Sequence, residues 1–97
     1  ELTADELKEY IYYVGMRKAL DRLENNPDFQ KVILDGYFKD KAVNGVSMLA
    51  SGYIKKNGLR ADIMESLVAI SQLQDYFITV KQLGAEDDSE DEDGVEE

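Results

Sequence analysis

The chain has 97 residues, an apolar fraction of 43% and a formal net charge of −10, and this length suits one small domain. It contains no cysteine and no histidine, which excludes disulfides, thiolate metal sites and the general base that enzymes use most often. No apolar run is long enough to cross a membrane and residues 1–8 show no signal-peptide pattern, so we expect an intracellular, soluble protein.

The negative charge is concentrated at the C-terminal end of the chain. Residues 85–97 hold nine acidic residues and no basic one, whereas residues 1–84 hold 12 acidic and 11 basic residues, a net charge of −1. A run of like charges with so little apolar surface cannot offset the entropy lost on ordering, which predicts disorder. The sequence therefore predicts a helical domain over 1–84 followed by a disordered acidic tail over 85–97.

The first predicted helix begins after Thr3, which forms a capping-box pattern with Glu6, and continues to about Asn25. Its apolar residues form two stripes on nearly opposite faces. One stripe contains Leu7, Tyr10, Ile11 and Val14, and the other contains Tyr12, Met16, Ala19, Leu20 and Leu23. Either the helix bends at Gly15 or it is straight and buries its two faces against different partners, one of which would be a second chain.

Two shorter helices are predicted to follow. Asn26 is the expected N-cap of the first and Pro27 its first residue, and Gly36 would either lie on its packing face or end it. Asp40 is the expected cap of the next helix, which Gly52 would end. Residues 51–58 are expected to form a connection, and a strand pairing of 46–50 with 53–56 is disfavoured because an isolated hairpin is unstable.

The last predicted helix is long, at about 60–83, and it organises the fold. From Leu59 its apolar residues recur at alternating steps of four and three, and Gly84 is a candidate left-handed C-cap. We expect an all-α fold in which two long and two shorter helices form a small four-helix bundle. The predicted core is Leu20, Leu23, Phe29, Val32, Ile33, Val46, Leu49, Ile63, Leu67, Ile70, Leu73 and Phe77.

Two regions are candidate interaction sites. The Leu7/Tyr10/Ile11/Val14 face could bind a partner or a second copy, since three tyrosines among residues 10–13 surround the helix and leave at least one ring exposed. The second region is the acidic tail, which suits a basic protein surface or could serve only for solubility. Its acidic residues include Glu86, Asp87, Asp88, Glu90, Asp91, Glu92 and Asp93.

A small basic cluster is formed by Lys55, Lys56 and Arg60, to which Lys39 and Lys41 could add. Direct nucleic-acid binding through it is disfavoured because such binding needs several aligned cations and the acidic tail would compete for them. Ordinary solvated lysines explain the cluster best, and a tail folded back onto it is the alternative. We find no catalytic motif, no cofactor site and no metal site in the sequence.

The segment from Ala19 to Phe29, continuing through Val32 to Phe38, Ala42-Val43 and the last helix, resembles small acidic helical proteins of tailed bacteriophages. The resemblance implies an accessory or virion assembly protein acting in the bacterial cytoplasm or carried in the virion, and it implies no functional residues.

From these features we expect a non-enzymatic, homo-oligomeric interaction protein that self-associates through its helices and presents its acidic tails to a basic host or virion protein. The alternative is an inhibitor of a host DNA-binding protein that acts by charge mimicry through the tail. Deletion of 85–97 separates the two hypotheses, because the inhibitor would lose its inhibition whereas assembly through the helices would survive.

Overall fold

The computed structural model of the protein describes residues 1–86, and all regular structure in that range is helical. This confirms the predicted all-α class. The elements in chain order are α1 (Ala4–Glu24), α2 (Pro27–Phe29), the π-helix π1 (Gln30–Asp40), α3 (Lys41–Leu49), α4 (Gly52–Lys56) and α5 (Arg60–Leu83).

Side-chain caps define three of the helix starts. The Thr3 side chain accepts a hydrogen bond from the Glu6 amide, and the Glu6 carboxylate accepts one from the Thr3 amide, so the predicted capping box is present. Asn26 accepts from the amides of Asp28 and Phe29, which confirms it as the predicted N-cap. Ser51 caps α4, a short helix within the stretch that the sequence predicts to be a connection.

The prediction of two separate helices between α1 and α4 is wrong. The elements α2, π1 and α3 follow one another without a break and form one helical rod over residues 27–49. Asp40 has helical dihedrals and makes no capping hydrogen bond, and Gly36 lies inside π1. A glycine inside a helix lowers helix stability by only about 1 kcal/mol relative to alanine. Packing along the rod outweighs this cost. Gly52 does not end α3, which finishes at Leu49, but begins α4.

The long helix α5 is the centre of the fold. Tyr13 lies at Gly84, whereas Leu23 shares a groove with Tyr76 and Phe77, so α1 runs antiparallel along the C-terminal half of α5. The rod packs against the N-terminal half of α5, where Gly45 lies directly against Leu67. The chain thus packs both α1 and the rod against one central helix.

Phe77 joins these two packing regions. Its ring centroid lies 6.1 Å from that of Phe29 and 5.5 Å from that of Phe38, the latter in an edge-on arrangement. Aromatic pairs at these separations contribute about 0.5–1.5 kcal/mol beyond the area they bury. Both partner rings belong to the rod, and Phe77 also lines a depression with Leu20 and Leu23 of α1, so it lies where α1 and the rod both pack against α5.

The core is smaller than predicted. Within residues 1–86 the buried apolar side chains are Leu20, Ile54, Ile70 and Val80. Leu23, Val32 and Val46 are predicted core residues but are 45%, 63% and 61% exposed, so these three assignments are wrong for the single chain. Since Gly45 is the residue of α3 that faces α5, Val46 points away from it. The other predicted core residues are buried or half-buried.

Gly84 does not form a left-handed cap, because its φ is −97°. Its role is to let the end of α5 approach the backbone of α1 closely. A Cβ at this position would lie 2.7 Å from the Cβ of Arg17 and 2.8 Å from the Tyr13 carbonyl carbon, and it would also overlap the Tyr13 carbonyl oxygen. Glycine is required here because the backbones of α1 and the end of α5 meet.

Candidate functional site

The first candidate surface is the outer face of α1, defined as Leu7, Ile11 and Val14. Leu7 is 47% exposed and Ile11 is 61% exposed, whereas Val14 is half-buried. Tyr10, the fourth residue of the predicted partner surface, instead lies with Tyr13 and Leu83 at the end of α5. Tyr10 precedes Val14 by one helical turn, so it lies at the edge of the predicted face that turns toward the end of α5.

α1 continues through Gly15 as one α-helix. At 100° per residue, the outer face lies on the side of α1 away from Leu20, which is buried against α5. Tyr12 is 57% exposed, as expected for at least one of the three clustered tyrosines, and its ring meets that of Tyr13 edge-on with 5.0 Å between centroids.

The second candidate surface is an open apolar depression between α1 and α5, here called the α1–α5 groove. It has a volume of about 160 Å³ and no charged lining residue. Its lining residues are Met16, Ala19, Leu20, Leu23, Tyr76, Phe77 and Val80. Leu20 and Val80 lie buried at its base, whereas Leu23 and Tyr76 are 45% and 47% exposed.

The sequence identifies the α1 residues of this groove as one apolar stripe but assigns Leu20 and Leu23 to the core. The spacing along a helix shows which residues share a face. It does not show how far the neighbouring helix covers that face, so the open groove could be found only from the structure.

Arg17 links the start of the acidic tail to the folded domain. Its Nε donates to the Gly84 carbonyl oxygen at 2.7 Å, its Nη1 donates to Asp21 at 2.9 Å, and its Nη2 donates to Glu86 at 3.3 Å. Lys18 Nζ lies 3.5 Å from the second Glu86 oxygen. We call this set the Arg17 clamp. It holds the last described residue of the chain against α1.

Glu86 is thus the one acidic tail residue predicted for partner binding that the structure describes. The other acidic residues named for partner binding lie outside the described residues, and so does most of the predicted disordered tail over 85–97. They are Asp87, Asp88, Glu90, Asp91, Glu92 and Asp93. The sequence offered no signal for the Arg17 clamp, since 69 residues separate its two ends.

The predicted basic cluster lies at the opposite end of α5 from the Arg17 clamp. Arg60 is the first residue of α5 and its Nη1 donates to the Leu49 carbonyl oxygen. Lys55 and Lys56 are exposed at the end of α4. Since α5 has 24 residues, about 36 Å of helix separates this cluster from Glu86.

The acidic side chains of the described region have structural partners at several positions. Glu6 belongs to the capping box, Asp21 and Glu86 to the Arg17 clamp, and Glu24 pairs with Lys81 at 2.9 Å. Within residues 1–86, no group of histidine, cysteine, aspartate or glutamate side chains is arranged to hold a metal ion. Helix capping explains Glu6, and ion pairing explains Asp21, Glu24 and Glu86.

In the same range no helix combines the length and apolarity needed to span a lipid bilayer. No protein-family model, curated protein or solved structure matches this chain.

Proposed function

We propose that the protein is a non-enzymatic interaction protein that self-associates through its helices and presents its acidic tails. The observation that carries this proposal is the amount of apolar surface that one copy leaves exposed. Besides Leu7, Ile11 and Leu23, the exposed large apolar and aromatic side chains include residues on every long helical segment. They are Leu2, Tyr12, Val32, Val43, Val46, Tyr53, Met64, Val68, Tyr76, Ile78 and Leu83.

The balance of buried and exposed side chains supports the same conclusion. Within residues 1–86 four apolar side chains are buried, whereas fourteen large apolar or aromatic side chains are exposed. Exposed apolar surface that is contiguous is typical of protein–protein interaction sites.

Self-association would also cover the helix faces that one copy leaves open. One copy supplies α1, the rod and α5, and helices from a second copy would pack against these faces. A basic protein partner for the acidic tails is part of the proposal. Its support is the charge of residues 85–97, which carry nine of the chain's 21 acidic residues. Action in the bacterial cytoplasm or in a phage virion rests on the sequence resemblance alone.

Solution mass measured by light scattering after size exclusion tests the proposal. Residues 1–86 are the appropriate truncated control because they retain the Arg17 clamp while removing most of the tail charge. We expect both the full chain and 1–86 to have at least twice the monomer mass, because helix faces drive the association. Monomers in both samples would refute self-association, and an oligomer seen only with the full chain would assign association to the tail instead.

A further inference from the structure

We infer that π1 is a register switch in the rod. Its loose winding allows two apolar stripes of the rod to face α5 together, and the contact between the rings of Phe29 and Phe77 holds it in that form. The inference concerns a single copy of the chain, so it stands apart from the proposed self-association.

The aromatic contacts of Phe77 show why the rod is not an α-helix throughout. Phe29 and Phe38 are nine residues apart, which is about two and a half turns of an α-helix, so α winding would place their rings on opposite sides of the rod. Both ring centroids nevertheless lie within 6.1 Å of the Phe77 centroid. Hydrogen bonds in π1 join residues five apart, and the Lys41 amide donates to the Gly36 carbonyl oxygen in this way. The wider turn of the π-helix therefore brings both rings to one side.

The apolar pattern of the rod shows how many residues π1 takes up. Two stripes of buried or half-buried residues continue the side that faces α5. They are Phe29 and Ile33 in the first stripe, and Phe38, Ala42, Gly45 and Leu49 in the second.

Within each stripe the steps are four or three residues, as on one face of an α-helix, but the step from Ile33 to Phe38 is five. After Ile33, a regular α-helical step of three would instead turn Gly36 toward α5, followed by Asp40 and Ser47. Asp40 and Ser47 are polar and exposed. The π-helix therefore takes up two residues and keeps these polar side chains away from α5.

The second register of the rod is α-helical throughout. With Phe38 kept against α5, Leu34 would face α5 in place of Ile33, because Leu34 precedes Phe38 by four residues. Leu34 is already half-buried, so this exchange loses little apolar contact. Phe29 would turn to the far side of the rod and leave Phe77. Since α-helices are far commoner than π-helices, loss of the contact between Phe29 and Phe77 should restore α winding.

Substitution of Phe29 in the full chain tests the switch. NMR couplings across backbone hydrogen bonds show which carbonyl accepts from each amide. We expect the Lys41 amide to couple to the Gly36 carbonyl in the wild type and to the Tyr37 carbonyl, four residues back, in Phe29→Ala. Val32→Ala is the matched control, since Val32 lies on the same rod and is 63% exposed, and it should keep the Gly36 coupling. Coupling to Tyr37 in the wild type, or to Gly36 in Phe29→Ala, would overturn the inference.

Deletion of residues 35–36 tests the register independently. It shortens the step between the stripes from five residues to three, so an α-helical rod would present one continuous apolar face. The rise falls from about 2.0 Å per residue in a 3₁₀-helix to about 1.5 Å in an α-helix, so the wider π turn rises less again and the shortened α rod spans a similar length. We expect a melting temperature within about 4 °C of the wild type. Hydrogen bonds should join residues four apart, and both ring contacts with Phe77 should persist in nuclear Overhauser spectra.

Deletion of residues 43–44 is the matched control, measured at the same protein concentration. Val43 and Asn44 are exposed, but their loss turns Gly45 by about 200° relative to the preceding part of the rod. We expect the melting temperature to fall by at least about 8 °C. Equal melting temperatures for the two deletions, or loss of either ring contact with Phe77 after deletion of 35–36, would overturn the inference.

Discussion

Replacement of Gly84 by alanine tests the close approach between the end of α5 and α1. Gly84 is buried and its φ of −97° suits any residue, so the backbone itself would tolerate a side chain. The added Cβ would however meet the carbonyl group of Tyr13 and lie 2.7 Å from the Cβ of Arg17. Because two of these obstacles are backbone atoms, they cannot rotate out of the way.

We expect Gly84→Ala to lower the free energy of unfolding by about 1–3 kcal/mol, the usual cost of forcing a group into a packed position. The displaced end of α5 would also weaken the hydrogen bond from Arg17 to the Gly84 carbonyl. For a domain of this size, each 1 kcal/mol lowers the melting temperature by roughly 4–8 °C.

Gly15→Ala is the matched control. Gly15 lies within α1 and a Cβ there would meet nothing within 4 Å, so alanine should stabilise the helix by about 0.5–1 kcal/mol. Urea unfolding followed by far-UV circular dichroism measures both variants, at one protein concentration because oligomer stability depends on it. If Gly84→Ala is as stable as the wild type, α1 does not meet the end of α5 as described.

Two further predictions concern the clamp and the core. Arg17→Ala removes a hydrogen bond to Gly84 and a partly exposed ion pair with Glu86, so we expect the free energy of unfolding in urea to fall by about 1–2 kcal/mol. Most of this loss should persist in high salt, because the hydrogen bond to the backbone contributes more than the screened ion pair. An unchanged stability would contradict the Arg17 clamp. Val80 is only 2% exposed, so Val80→Ala should lower the free energy of unfolding by about 1.5–3 kcal/mol. Val46 is 61% exposed, so Val46→Ala should change it by less than about 0.5 kcal/mol at concentrations where the protein is monomeric. Equal losses in the two variants would refute the assigned core.

The sequence alone determined where most of the helices begin and end. The capping box at Thr3, the Asn26-Pro27 pair and the long apolar period before Gly84 predicted α1, the start of the rod and α5. These signals are local, since a cap is formed by side chains within three residues of the amides that they satisfy. Local chemistry therefore suffices to find them.

The local signals failed where packing outweighed them. Asp40 indicated a break, yet the rod continues through it, because aspartate inside a helix costs only about 0.7 kcal/mol, which is small beside the partial burial of side chains along the rod. Gly36 lies inside the rod, so of its two predicted roles that of a helix end is wrong. Gly84 shows the same limit. The sequence identified a glycine at a helix end, but only the structure showed that the backbone of α1 requires it.

The candidate site shows most clearly what tertiary structure adds. Periodicity along α1 separated its two apolar stripes, but which stripe is covered, and how completely, depends on the position of α5 some 60 residues later in the chain. The Arg17 clamp likewise joins residues that are distant in sequence. Helix boundaries follow from short-range hydrogen bonding, whereas exposed grooves and clamps follow from the relative placement of whole helices, which only the tertiary structure decides.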